Sequence, residues 1–180
     1  MIFSHKIMVY NTMKFEKIVN YVESSFGDKP SFVLLMSNGR EYISNGCVFV
    51  ENTEDNIDEL NKIFECKEFI DELLDAPGCS IYDIADARYM FRGCGSITEF
   101  NEDMPNTIAA TGMFIDCYSL QRINSSMPNV MDVNNMCTRC RSLYEFNGAV
   151  PKAVYARDMF EGCDELIEQE LSEEPVGFSL

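Results

Sequence analysis

The chain has one histidine, no long apolar run and no glycine-rich phosphate loop, and it sets 14 lysines and arginines against 30 acids. Each shortage excludes something. A Cys–His enzyme would rest on His5 alone, which stands in an N-terminal segment with no acid or nucleophile patterned around it. A membrane-spanning helix needs about 18 or more apolar residues in a row, and no such tract occurs. The start, Met1-Ile2-Phe3-Ser4-His5-Lys6, lacks a basic segment followed by an apolar run and a small-residue cleavage site, so no signal peptide is expected. Arg92-Gly93-Cys94-Gly95 lies inside a periodic segment and does not read as a phosphate cradle. The scarcity of basic residues gives a formal net charge of −16. That disfavours direct nucleic-acid binding, which depends on phosphate neutralisation, and adsorption to anionic membranes. A basic protein partner is favoured, while solubility alone would explain the same charge.

What the sequence has is a period. Met90-Phe91-x-x-Cys94-x-x-Ile97-x-x-Phe100-Asn101 returns as Met113-Phe114-x-x-Cys117-x-x-Leu120-x-x-Ile123-Asn124. It returns again as Met136-Cys137-x-x-Cys140-x-x-Leu143-x-x-Phe146-Asn147, and last as Met159-Phe160-x-x-Cys163-x-x-Leu166. The step is 23 residues each time, and Pro105, Pro128 and Pro151, then Ile108, Met131 and Val154, keep it. Units repeating at such a period bury their apolar edges on one another.

This pattern resembles the BspA-like subgroup of the leucine-rich repeats, and its Met-Phe-x-x-Cys opening resembles a sister repeat of bacterial surface lipoproteins. The resemblance covers roughly the second half of the chain. It implies a short curved solenoid used for binding and implies no catalytic residues. Two departures stand out. The three prolines fall about two residues late, so a wider turn is expected after each strand. Cys137 replaces the Phe of the other repeats, so one layer is expected to be under-filled.

The fold expected from these features is α+β: a short leucine-rich-repeat-like solenoid of about four to five repeats with an N-terminal α+β capping unit. The corresponding boundaries are 1–62 for the cap, 63–171 for the solenoid and 172–180 for a tail. Within the cap, a strand is expected over Met1–Tyr10. Phe15, Ile18, Val19, Val22 and Phe26 predict a helix from Thr12 to Gly27. Phe32–Met36, Glu41–Ile43 and Cys47–Val50 read as strands joined by Ser37-Asn38-Gly39 and Asn45-Gly46. Thr53–Lys67 reads as a helix whose end conceals a worn repeat, Ile63-Phe64-x-x-Lys67-x-x-Ile70-x-x-Leu73, ahead of an insertion near Ala76-Pro77-Gly78. The cap and the repeats are expected to share one core, with Ile167–Leu171 covering the last repeat. Leu-x-x-Phe-Asn is the expected strand, with neighbours about 4.8 Å apart, and the Asn101, Asn124, Asn147 column should cap backbone groups.

Eight cysteines invite a disulfide reading, but Cys94, Cys117, Cys140 and Cys163 recur like core side chains. With no export signal they are expected to be reduced and the protein cytoplasmic. Cys137-x-x-Cys140 has half-zinc-site spacing, but no second such pair exists, so no metal, cofactor or catalytic residue is assigned.

The expected function is therefore that of the surface. Glu51–Asp75 holds ten acids against two lysines, and Arg157–Glu174 eight acids against one arginine, two blocks expected to bracket the solenoid. Between them vary Thr98, Gln121 and Tyr144, then Glu99, Arg122 and Glu145, and after the cysteines Gly95, Tyr118 and Arg141. Tyr and Arg are the residues that most often anchor interfaces. The candidate binding residues are Tyr118, Arg122, Arg141, Tyr144, Glu161, Asp164, Glu165 and Glu168. The expected role is a non-enzymatic adaptor or inhibitor gripping a basic protein surface, in its sharpest form a phage-type mimic of nucleic-acid phosphates. The alternative is a surface or secreted adhesion module, as the family resemblance implies. The sequence leaves the oligomeric state open.

Overall fold

The computed structural model describes residues 14–23, 29–64, 67–76 and 78–166. Four strands, β1 (Phe15–Val22), β2 (Ser31–Met36), β3 (Glu41–Ser44) and β4 (Phe49–Glu51), form an antiparallel sheet in that order. Helices α1 (Glu54–Phe64) and α2 (Lys67–Asp75) follow, then one 3-10 turn at Ile81–Asp83. Three two-residue strands, β5 (Glu99–Phe100), β6 (Arg122–Ile123) and β7 (Glu145–Phe146), make a separate parallel sheet.

The architecture is thus a small mixed domain, not the expected leucine-rich-repeat-like solenoid with a terminal cap. The 23-residue period is physically real: Phe91 N–H donates to Met113, Phe114 N–H to Met136 and Cys137 N–H to Met159, at 2.8–2.9 Å. Yet among the described residues β5, β6 and β7 have only two residues each, and no helix lies between them in the chain. Apolar columns report that successive turns touch; they do not report how much regular strand each turn contains.

The antiparallel sheet is buried on both faces. Phe32, Leu34, Met36 and Tyr42 pack with the periodic residues, including Met90, Phe91, Cys94, Phe114 and Cys117. Val33 and Ile43, on the other face, pack with Leu60, Phe64, Ile70 and Leu73 of the helices. Alternate residues of a strand point to opposite faces, so β2 reads as an unbroken apolar run because both faces are covered. The shared core between the N-terminal strands and the periodic half is therefore present. Phe15 meets Phe91 edge-on at 5.1 Å, and the Tyr21 hydroxyl donates to the Asp86 carbonyl at 3.2 Å.

The helix expected from Thr12 to Gly27 is instead β1. Its register with β2 shifts between Phe15 and Lys17 and between Ile18 and Asn20. Those irregularities let Phe15, Ile18 and Tyr21 serve one face while Val19 and Val22 serve the other. Apolar residues three and four apart, which imitate a helix, here belong to a bulged strand between two cores. The worn repeat over residues 63–73 is also corrected: Lys67–Asp75 is α2, and Ile70 and Leu73 are its buried stripe. The expected strands at 31–50 and helix from residue 53 are observed, β2 and β3 one residue longer than expected, β4 shorter and displaced toward Glu51, and α1 shorter at both ends. The expectations for Met1–Tyr10, for Ile167–Leu171 and for the tail lie outside the described residues.

Every turn bends at the same two places. Tyr89, Gly112, Asn135 and Asp158 have φ between 54° and 61°, and Gly93, Asp116, Arg139 and Gly162 between 62° and 75°. Both columns keep the 23-residue step, so each turn uses two left-handed residues four apart. Glycine, Asn and Asp tolerate that conformation best; Tyr89 and Arg139 hold it in spite of their bulk.

The asparagine column forms a ladder, though not onto backbone. Asn124 Nδ2 donates to Asn101 Oδ1 at 2.7 Å, and Asn147 Nδ2 to Asn124 Oδ1 at 3.0 Å. Among the described residues no helix is long and apolar enough to cross a membrane.

Candidate interaction surface

The cysteine column comes first, since it decides whether the site is chemical. Cys94, Cys117, Cys140 and Cys163 are buried, and all seven described cysteines are free. Each thiol after the first donates to a carbonyl of the preceding turn: Cys117 to Phe91 at 3.0 Å, Cys140 to Phe114 at 3.0 Å and Cys163 to Cys137 at 3.1 Å. Cys94 sits 3.6 Å from the Ser96 hydroxyl instead. The column therefore needs a small side chain that can also donate weakly, which cysteine supplies. Burial pushes the Cys94 and Cys163 thiols up to about 12 and raises those of Cys117 and Cys137. Neutral, buried thiols make poor nucleophiles and poor metal ligands. Among the described residues no group of three His, Cys, Asp or Glu is placed to hold a metal ion.

Two polar groups lie on the surface of the turns. In the first, Tyr118 is about half exposed and its hydroxyl donates to Asp116 Oδ1 at 3.0 Å. Arg139, one turn on, donates to both oxygens of the same carboxylate, Nε at 2.6 Å and Nη2 at 2.9 Å. The guanidinium of Arg141 lies 5.7 Å from the Tyr118 ring centre. Arg139 beside Asp116 holds that carboxyl below its usual range, with Arg92 adding to the effect. Asp116 and Arg139 escaped the sequence reading. The clue was present: opposite charges occupy one column in adjacent turns.

A pH signature follows. A carboxyl whose folded value is depressed contributes stability above its unfolded value, near 3.9, and loses it as the pH falls through the folded value. Asp116→Asn, which keeps a residue tolerant of positive φ, should lower the unfolding temperature slightly at neutral pH. The difference from wild type should shrink and then vanish as the pH falls through the folded value of Asp116, below the unfolded one. Thermal unfolding followed across pH is the check; a gap that persisted in acid would mean that the amide disturbs packing rather than charge.

In the second group, Arg122 on β6 stands between its cross-strand partners Glu99 on β5 and Glu145 on β7, at 3.7 and 3.6 Å. Its Nε donates to the Tyr144 hydroxyl at 2.5 Å. Tyr144 is half-buried, and the Arg122 side chain is 40% exposed, so this group is largely occupied with itself. The two groups share no hydrogen bond or ion pair among the described residues.

Eight acids of the first block lie on α1 and α2, on the side of the antiparallel sheet away from the periodic turns. Leu60, Phe64, Ile70 and Leu73 face the sheet, leaving Glu54, Asp55, Asp58, Glu59, Glu68, Asp71, Glu72 and Asp75 exposed. Among the described residues none of these eight enters an ion pair. In the second block, Glu161, Asp164 and Glu165 are exposed, whereas Glu168 lies outside the described residues.

The chain matches no family model, no curated protein and no solved structure.

Proposed function

We propose that this chain is a non-enzymatic binding module that grips a basic protein surface through the outer face of α1 and α2. One observation carries the reading: eight exposed acids share that face with only Lys62 and Lys67, and none of the eight is paired among the described residues. A helix face needing only solubility would be served equally well by mixed charge with i,i+4 pairs. A one-signed, unpaired face gives long-range attraction for a partner of opposite sign and raises the rate of encounter. The buried thiols fit a cytoplasmic setting, where cysteines stay reduced.

The test is a paired capture from the source cell. Wild type and a variant with Glu54, Asp58, Glu59, Asp71 and Glu72 changed to Gln or Asn are used as baits. Basic proteins retained by wild type should be lost by the variant, and their association with wild type should slow as the Debye length shrinks below about 8 Å. Identical captures by the two baits would reduce the acidity to solubility.

A further inference from the structure

The face formed by segments 105–111, 128–134 and 151–157 is unlike the rest of the surface. In a chain with 30 acids these three segments hold one, Asp132, whose Oδ1 accepts the Asn134 N–H at 3.0 Å, together with Lys152 and Arg157; the equivalent segment of the first turn, 82–88, adds Asp83 and an Asp86 paired with Arg88. Ile108, Met131 and Val154 run along it as one column, each N–H donating to the column residue one turn before. They are 51%, 47% and 64% exposed, with Tyr155 at 60%. Large apolar side chains aligned on an ordered face and cleared of acids are what the centre of a protein interface contains.

The neighbouring column says what covers it. Asn106 Nδ2 donates to the Tyr82 carbonyl and Asn129 Nδ2 to the Pro105 carbonyl, so residues 83, 106, 129 and 152 are equivalent. They read Asp83, Asn106, Asn129, Lys152: an exposed acid at one end, an exposed base at the other and amides between. The apolar column beside it runs Ala85, Ile108, Met131, Val154, small at the acidic end and protruding at the basic end. A two-fold axis between the middle turns sets Asp83 against Lys152, Ala85 against Val154 and Ile108 against Met131 of a second copy. Such an isologous contact is self-complementary in charge and in shape.

We propose that a second copy of this chain docks here in antiparallel orientation, making a two-fold dimer centred on Ile108 and Met131. Sedimentation equilibrium of the full chain across a concentration series, in reducing buffer, should show a monomer–dimer equilibrium. Met131→Glu combined with Val154→Glu should abolish the dimer while leaving the circular dichroism spectrum unchanged, since both side chains already face solvent. Asp83→Lys and Lys152→Asp should each weaken the dimer about tenfold, and the double reversal should restore it to within about threefold of wild type. A monomer throughout the series, or a dimer indifferent to the two glutamates, would overturn the proposal. A double reversal no better than the singles would overturn the antiparallel register.

Discussion

Phe114→Ala should lower the unfolding free energy by about 3–5 kcal/mol. Phe114 is fully buried, lies parallel to Phe91 with ring centres 5.5 Å apart, and meets Phe100 edge-on at 5.1 Å. Phe91 and Phe100 in turn contact Phe15 of β1. Removing the ring therefore opens a void where the antiparallel sheet joins the turns, and neighbours held on both sides cannot collapse into it. Urea unfolding gives the measurement. A loss near 1 kcal/mol would show that the aromatic cluster relaxes around the gap.

Gly46→Ala should be the most damaging change available to a loop. Gly46 has φ of 80°, and a Cβ there would come 2.2 Å from Tyr89 Cβ and 2.8 Å from its Cγ. Tyr89 has little room to yield. It holds φ of 60° itself, and its ring on the other side lies 2.6 Å from where a Gly112 Cβ would be. Lys29 Nζ sits 4.7 Å from the ring centre as well. Left-handed strain of roughly 1–2 kcal/mol adds to the steric term, and the sum should reach about 3 kcal/mol or more. Gly39→Ala makes the control, because its φ is similar at 73° and nothing lies within 4 Å of the added carbon. Equal losses in the two variants would mean that backbone strain alone sets the cost and that Tyr89 moves freely.

How much of this was legible in the sequence differs between the halves, for physical reasons. The apolar columns of the periodic half give the buried faces of Met113, Phe114, Cys117 and Leu120 correctly, because stacked turns place equivalent residues in equivalent surroundings. They mislead on architecture, since they carry no information about how few residues each turn spends as strand. The two left-handed columns were readable: six of their eight residues, Gly93, Gly112, Asp116, Asn135, Asp158 and Gly162, are the types that tolerate positive φ. β1 was not readable by period, because the clean alternation of a strand requires one polar face, and here both faces are covered. Of the surface, column variation picks out Tyr118 and Arg141 as exposed positions. Asp116 and Arg139 need knowledge that position 116 faces position 139 across adjacent turns. No composition count shows that eight acids, unpaired among the described residues, share the outer faces of two successive helices.

The thiol ladder makes this a protein whose lifetime is set by a rate as well as by an equilibrium. While folded, four sulfurs are buried and out of reach, each of the last three occupied with a carbonyl of the turn before it. A molecule that opens exposes them together, and thiols freed from burial become oxidisable. In air, an open molecule that forms a crossed disulfide before it refolds cannot return, so each opening carries a chance of permanent loss. Loss of native protein on storage without reductant should track the population of the open form, and Gly46→Ala should age faster than wild type in proportion to its larger open fraction.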